Sequence, residues 1–309
     1  MLEINKDYPG KEFRALLEKD VKQYERAIHD YPNVASNYAG LAEASTILWC
    51  YGFYPRSALF SKSRAAAVKA VKIDPKLAIA HTILGLVKLS DWDWAAAEKE
   101  FQCAIELNSD KPQSYHWYAL YLAAMGRHQQ ALDETRKALK LDPSPSFKVG
   151  YVSILYFARD FAQMVDYLNE TITADPQFAP SYDWLGMAYI QLERFDEAIK
   201  VYRKAVRLSD GAAEVLAGLG HAYGVAGRIA EAQAVRDKLI SFAKRWYIPP
   251  VQIAFVLVGL GEKDRAFELL ERAYIERSWE LIFIREEPWL DDLRSDPRFE
   301  NLLKRMHFP

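Results

Sequence analysis

Residues that are mostly small recur along this chain at a nearly fixed interval, and that interval constrains the fold more than any other feature. Ala70, Ala104, Ala138, Thr171, Ala205, Leu239 and Ala273 stand 34, 34, 33, 34, 34 and 34 residues apart. Gly85, Ala119, Val152, Gly186, Gly220 and Ala254 form a parallel series, and Ala97, Ala131, Met164, Ala198, Ala232 and Ala266 a third. A period of this length fits one helix–turn–helix unit that cannot bury its apolar face alone and must stack on its neighbours. Where helices cross closely, a large side chain would hold the backbones apart, so small residues mark the crossings. An array of this kind has no single globular core, so a length of 309 residues does not set a domain count.

Registering the units on the small residues places their starts near Ala35, Ala78, Pro112, Pro145, Ala179, Ala213 and Tyr247. The unit from Ala179 is the clearest. Tyr182, Leu185, Gly186 and Tyr189 have the i, i+3, i+4, i+7 spacing of one buried helical face, and Phe195, Ala198, Tyr202 and Ala205 mark its second helix. Leu141-Asp142-Pro143 stops a helix, because proline cannot continue one and restricts the residue before it; Pro32, Pro75 and Pro176 share that phase. The expected organisation is a partial repeat or cap over 1–34, seven repeats over 35–280, and capping helices over 281–309. The step from Ala42 to Gly85 is 43 residues, and the extra nine fall around Tyr51 to Leu59. Gly52 and Pro55 read there as a loop or extended turn. It is either a tolerated surface insertion or a ligand-contacting loop carrying Tyr51, Phe53 and Tyr54. In the Pro145 unit, Met164 and Thr171 replace alanines, which predicts looser packing. Phe299, Leu302, Leu303 and Met306 form one apolar stripe, expected to lid the last repeat.

Composition is that of an ordinary soluble chain, 50% hydrophobic and 27% charged. Forty basic residues against 42 acidic ones give a formal charge of −2, which argues against binding nucleic acid through bulk charge. Two cysteines, Cys50 and Cys103, are too few for a disulfide framework. The N-terminus has no basic-then-apolar signal pattern, and no apolar run reaches membrane-spanning length. A cytoplasmic location is therefore expected.

Several stretches carry a family resemblance: Asp91-Trp92-Asp93-Trp94 with Ala97, Glu100-Phe101 and Ala104; Trp117 to Leu122 with Gly126-Arg127; Gly259 to Lys263 with Ala266-Phe267; and the tail from Leu293 to Phe299. On these residues the chain resembles the tetratricopeptide-repeat family, which implies an all-α, right-handed α-solenoid. It is similar in particular to the repeat module that follows winged-helix, Ser/Thr kinase or adenylate-cyclase-like domains in bacterial signalling proteins. No such partner domain is visible here, so none of their activities carries over. In the family, the concave wall is lined by set positions of each first helix. That implies a groove holding His116, Leu120, Val149, Tyr156, Phe157, Asp183, Met187, His221 and Phe255. The wall is either a binding groove or is covered, by tight curvature or by the C-terminal tail. Its apolar lining does not resemble the basic clamp that some members use for acidic peptide tails.

No catalytic pattern is found. The six histidines (His29, His81, His116, His128, His221 and His307) make neither H-E-x-x-H nor a Cys/His zinc spacing. Gly218 to Gly224 is glycine-rich but follows no strand. Asp91 with Asp93 and Glu286 with Glu287 read as solvated turn carboxylates. The expectation is a non-enzymatic scaffold without cofactor or metal, binding a protein or peptide partner in its groove, and neither nucleic acid nor membrane directly. The alternatives are a self-associating, homodimeric signalling module and an enzyme with an unrecognised groove site.

Overall fold

A computed structural model describes residues 11–309, and the chain is an all-α solenoid with no strand among the described residues. Helix α1 (Lys11–Asp30) is followed by the pairs α2 (Ala35–Cys50) with α3 (Arg56–Ile73), α4 (Ala78–Ser90) with α5 (Trp94–Leu107) and α6 (Pro112–Ala124) with α7 (His128–Leu141). Then come α8 (Pro145–Phe157) with α9 (Phe161–Ala174), α10 (Ala179–Gln191) with α11 (Phe195–Leu208), α12 (Ala213–Val225) with α13 (Ile229–Ala243), and α14 (Pro250–Gly259) with α15 (Lys263–Glu276). Two 3-10 segments, Trp279–Phe283 and Pro288–Leu293, lead to α16 (Pro297–Arg305). The last first helix starts at Pro250, three residues after Tyr247, because Pro249 and Pro250 suit the cap and first helical positions.

The small series marks helix crossings. Ala97, Ala104, Ala131, Ala138, Ala198, Ala205, Ala266 and Ala273 are all fully buried. A Cβ added at Gly85 would lie 2.7 Å from the Phe101 ring, and one at Gly186 would lie 2.4 Å from the Tyr202 ring. The glycine of the first helix therefore receives an aromatic ring from the second. Met164 is fully buried in place of alanine, so that site is filled rather than loose.

Every turn within these pairs closes in the same way, and at the insertion Gly52 (φ 69°) with the Phe53 amide on Leu48 O (3.1 Å) does so before Tyr54 and Pro55 lead into α3. The residues Trp92, Gly126, Arg159, Glu193, Gly227 and Gly261 all have φ between 57° and 73°. The following amide reaches five residues back, as in Asp93 to Lys88 O (3.0 Å), Arg194 to Tyr189 O (2.8 Å) and Glu262 to Leu257 O (2.9 Å). This is the Schellman closure of a helix C-terminus.

The insertion is not a loop in the main. Its nine residues lengthen α2 by three and α3 by four relative to α4 and α5, leaving a five-residue turn, 51–55, instead of three. Only Tyr51 to Pro55 leave the helices, and Arg56 to Leu59 are already helical.

By packing, the chain falls into two compact units, and the C-terminal tail contributes to both. One contains Leu155–Ile275 and Glu286–Leu303; the other contains Glu12–Ile154, Glu276–Arg285 and Lys304–Pro309. In the first, α10 packs on α12 and α12 on α14; in the second, α2 packs on α4 and α4 on α6. First helices thus have neighbours on both sides, which is why α4 and α12 are buried almost all round. Second helices keep a polar outer face.

Candidate functional site

In each unit the inner wall of first helices receives a segment of the chain's own tail. In the unit built on α2, α4 and α6, Trp279 packs edge-on against Trp49 (5.7 Å between ring centroids) and Trp117 (6.0 Å). Leu281, Ile282, Phe283 and Ile284 are buried behind it. The last residues return to the same unit: Trp94 Nε1 donates to the Met306 carbonyl at 3.0 Å, and Phe308 stacks on Trp94 at 4.5 Å. His116 lies beside Trp117, edge-on to Phe147 at 5.6 Å, against Gly150 where a Cβ would lie 2.5 Å from its ring. Burial lowers its pKa to about 4, so this imidazole is neutral at pH 7.

In the unit built on α10, α12 and α14, the tail arrives through Glu287 and Trp289. The Tyr156 hydroxyl donates to Glu287 Oε1 at 2.5 Å, and the Trp289 amide donates to the same oxygen at 3.1 Å. The Trp289 indole stacks on His221 (4.5 Å, 17° between planes) and meets Phe255 edge-on at 5.1 Å. His221 Nδ1 donates to the Phe255 carbonyl at 2.8 Å, which fixes its tautomer. Arg159 grips Asp291 with two hydrogen bonds of 2.7 Å, and Arg294 adds a third at 2.6 Å. Burial raises Glu287 to about 7 and lowers His221 to about 4. Helix α16 covers α15: Phe299 and Leu302 are buried, and Arg298 pairs with Asp264 at 2.9 Å over the Phe267 ring.

The residues assigned to the groove all stand on first helices, but they do not line one open surface. Tyr156, Phe157, His221 and Leu120 are buried. The expectation that Tyr156 and Phe157 face a vacant groove is corrected: Tyr156 is fully buried, held by Glu287 and edge-on to Trp184 at 5.7 Å. Glu287 is likewise no solvated turn carboxylate but a buried acceptor. Val149, Asp183, Met187 and Phe255 are half-buried. Burial, with Glu214 nearby, raises Asp183 to about 7. Of the insertion residues, Tyr51 is exposed, Phe53 is buried and Tyr54 is half-buried. The Tyr54 hydroxyl donates to Glu18 at 2.5 Å and accepts from Arg14 at 2.7 Å.

Sequence reasoning missed Trp279, Glu287 and Trp289. Two tryptophans ten residues apart, outside the repeat phase, were the available signal. Among the described residues no group of His, Cys, Asp and Glu is placed to hold a metal ion, and no helix is long and apolar enough to cross a membrane.

The model of the tetratricopeptide-repeat family matches residues 112–145 and 179–210. The transcriptional regulator HilA of Salmonella typhimurium is 21% identical over 287 residues, covering 93% of this chain and 50% of HilA. The chain thus spans about half the length of the HilA proteins it matches. Among solved structures, the APC/C assembly Cut9–Hcn1 superposes with a TM-score of 0.62 at 14% identity, covering 94% of this chain and 52% of that one. Yeast Tom70 superposes with a TM-score of 0.56 at 16% identity, covering 94% and 62%. At such identities these likenesses speak for the fold alone, a fold that builds protein-interaction scaffolds. Its 34-residue helix pairs, its recurrent turn and the family match together make this chain a tetratricopeptide-repeat protein.

Proposed function

We propose that this protein is a non-catalytic interaction module that receives a partner segment on its first-helix wall, in a bacterial regulatory context. The observation that carries the reading is the pair of tail tryptophans. Trp279 on Trp49 and Trp117, and Trp289 on His221 and Phe255, are aromatic anchors set in receptive sites of two separate units. Aromatic anchors in desolvated pockets carry most interface energy. A wall that takes one short tryptophan-bearing segment has the shape and chemistry to take another, and the resident tail sets the threshold a partner must exceed. The likeness to a protein named as a transcriptional regulator supports the regulatory context.

The test is site-specific photo-crosslinking in the source cell, with the probe at the half-buried wall position Met187 and, as control, at exposed Arg207 on α11. The reading expects a discrete adduct from position 187 alone, lost on adding excess synthetic peptide of residues 286–303. Equal adducts from both positions, or no adduct at 187, would overturn it. An adduct whose second component is this same chain would favour self-association.

A further inference from the structure

Three arginines that lie far apart in sequence meet around a single carboxylate. Arg56 opens α3, Arg64 lies about two turns along the same helix, and Arg277 follows α15. Arg56 Nη2 donates to Asp91 Oδ1 at 2.6 Å, and Arg64 Nη1 stands 3.6 Å from Oδ2. Arg277 Nη1 donates to the Asp91 main-chain carbonyl at 2.8 Å and lies 4.0 Å from Oδ1. Asp91 is the one carboxylate that the described ion pairs place on these guanidiniums, because neighbouring Asp93 is taken by Lys88 at 3.1 Å. The cluster therefore holds two positive charges in excess.

The cluster is built rather than incidental. The Arg56 guanidinium is pressed on the Phe60 ring, and its Nε is buried without a hydrogen-bond partner. The Arg277 guanidinium lies 4.3 Å over the Trp92 ring. The α3 N-terminus, capped by Pro55 with no side-chain hydrogen bond, adds a favourable dipole for negative charge. Burial lowers Arg56 to about 10, and Arg277 and Arg64 push in the same direction against Asp91. A second anion would relieve that repulsion. Arg64 and Arg277 keep 57% and 36% of their side-chain surface exposed, so a ligand can reach them.

We propose that Arg56, Arg64 and Arg277 form an anion site for a phosphoryl group. A phosphoryl dianion matches the two excess charges, where a carboxylate would leave one. Guanidinium forks also fit its oxygens in bidentate geometry. The site uses a second helix and the tail, not the first-helix wall, and it gives the lengthened α2–α3 unit a role of its own.

The probe is inorganic phosphate, titrated at pH 7.5 and constant ionic strength into the full chain, followed by calorimetry and melting temperature. Saturable binding and stabilisation that chloride does not reproduce are expected. Arg64→Gln and Arg277→Gln should each weaken the apparent affinity at least about tenfold, while Arg207→Gln should leave it unchanged. O-phospho-L-serine and adenosine monophosphate, titrated in parallel, separate a phosphorylated side chain from a nucleotide as the source of the group. Non-saturating phosphate effects, or equal effects in the wild type and both variants, would overturn the proposal. Should Arg277→Gln fail to fold, exposed Arg64 still decides the outcome.

Discussion

Replacing Trp289 by alanine removes the anchor that joins the tail to the wall of α12 and α14. The indole is 6% exposed and contacts both the His221 and Phe255 rings. Roughly 200 Å² of mostly apolar surface is withdrawn from water, worth about 5 kcal/mol at ~25 cal/mol per Å². Against this, Trp289 Nε1 is buried with no partner, which offsets about 1–2 kcal/mol. The net expectation is about 3–4 kcal/mol, inside the range of about 3–5 for such truncations. Repeat arrays do not unfold as one two-state block, so a global melting curve would register the loss without showing where it falls. Hydrogen exchange read by mass spectrometry resolves it. Amides of Trp289–Leu293, and those of α14 facing them, should exchange about 140- to 700-fold faster, at about 1.4 kcal/mol per factor of ten. Amides of α5 and α7 should keep their rates. Protection of 288–293 unchanged within about threefold would refute the reasoning, because it would mean that the indole is a passenger and that the Arg159–Asp291 pair holds the segment.

The other expectations concern titration, turns and crossings. Glu287 is an acid whose folded pKa is raised, from 4.5 to about 7, so the folded state binds the extra proton and stability falls as pH rises through that window. The loss reaches about 3 kcal/mol above pH 7, and Glu287→Gln should abolish it when the two pH profiles of tail exchange are subtracted. His116 and His221 act in the opposite sense, because their folded pKa values are lowered from 6.5 to about 4; their contribution is full above pH 6.5 and is lost as pH falls towards 4. A Cβ at Gly227 would meet nothing within 4 Å, yet φ is +73°, so Gly227→Ala should cost about 1–2 kcal/mol from backbone strain alone, read as a lower melting temperature. Exposed Glu193 holds the same conformation (φ 57°) with a side chain, so Glu193→Gly should be neutral or stabilising by up to about 1 kcal/mol. Ala104→Leu or Ala205→Leu overpacks a fully buried crossing and should cost about 1–3 kcal/mol in thermal unfolding.

The array was legible because each unit repeats its own local code. Glycine or alanine at a crossing and an aromatic ring that fills it recur at intervals of about 34 residues, as at Gly85 with Phe101 and Gly186 with Tyr202, whereas the positive-φ turn position holds glycine in some units and Trp92, Arg159 or Glu193 in others. The insertion was harder to read. Gly52 and Pro55 mark a break, but nothing local shows that the helices on both sides grow longer. The tail was the least legible part. Tyr156 and Glu287 meet across 131 residues, and Trp94 reaches Met306 across 212. No periodic signal records where a chain goes once it leaves the repeat. Register places Tyr156 and His221 on first helices, but whether that face is open or covered depends on segments outside the register. Titration was equally hidden: Glu287 beside Glu286 looks like an ordinary charged turn until burial against Tyr156 makes it a proton-holding group at neutral pH.

The central claim, that the first-helix wall is a receptor site now filled by the tail, is tested most directly by offering the tail in trans. A fluorescent peptide of residues 286–303 is titrated into the intact chain and into the Trp289→Ala chain, and its anisotropy gives both affinities. Binding to the variant at least about tenfold tighter than to the intact chain is the expected result, because the loosened resident segment no longer competes. Equal affinity for both chains, or no binding to the variant, would contradict the claim.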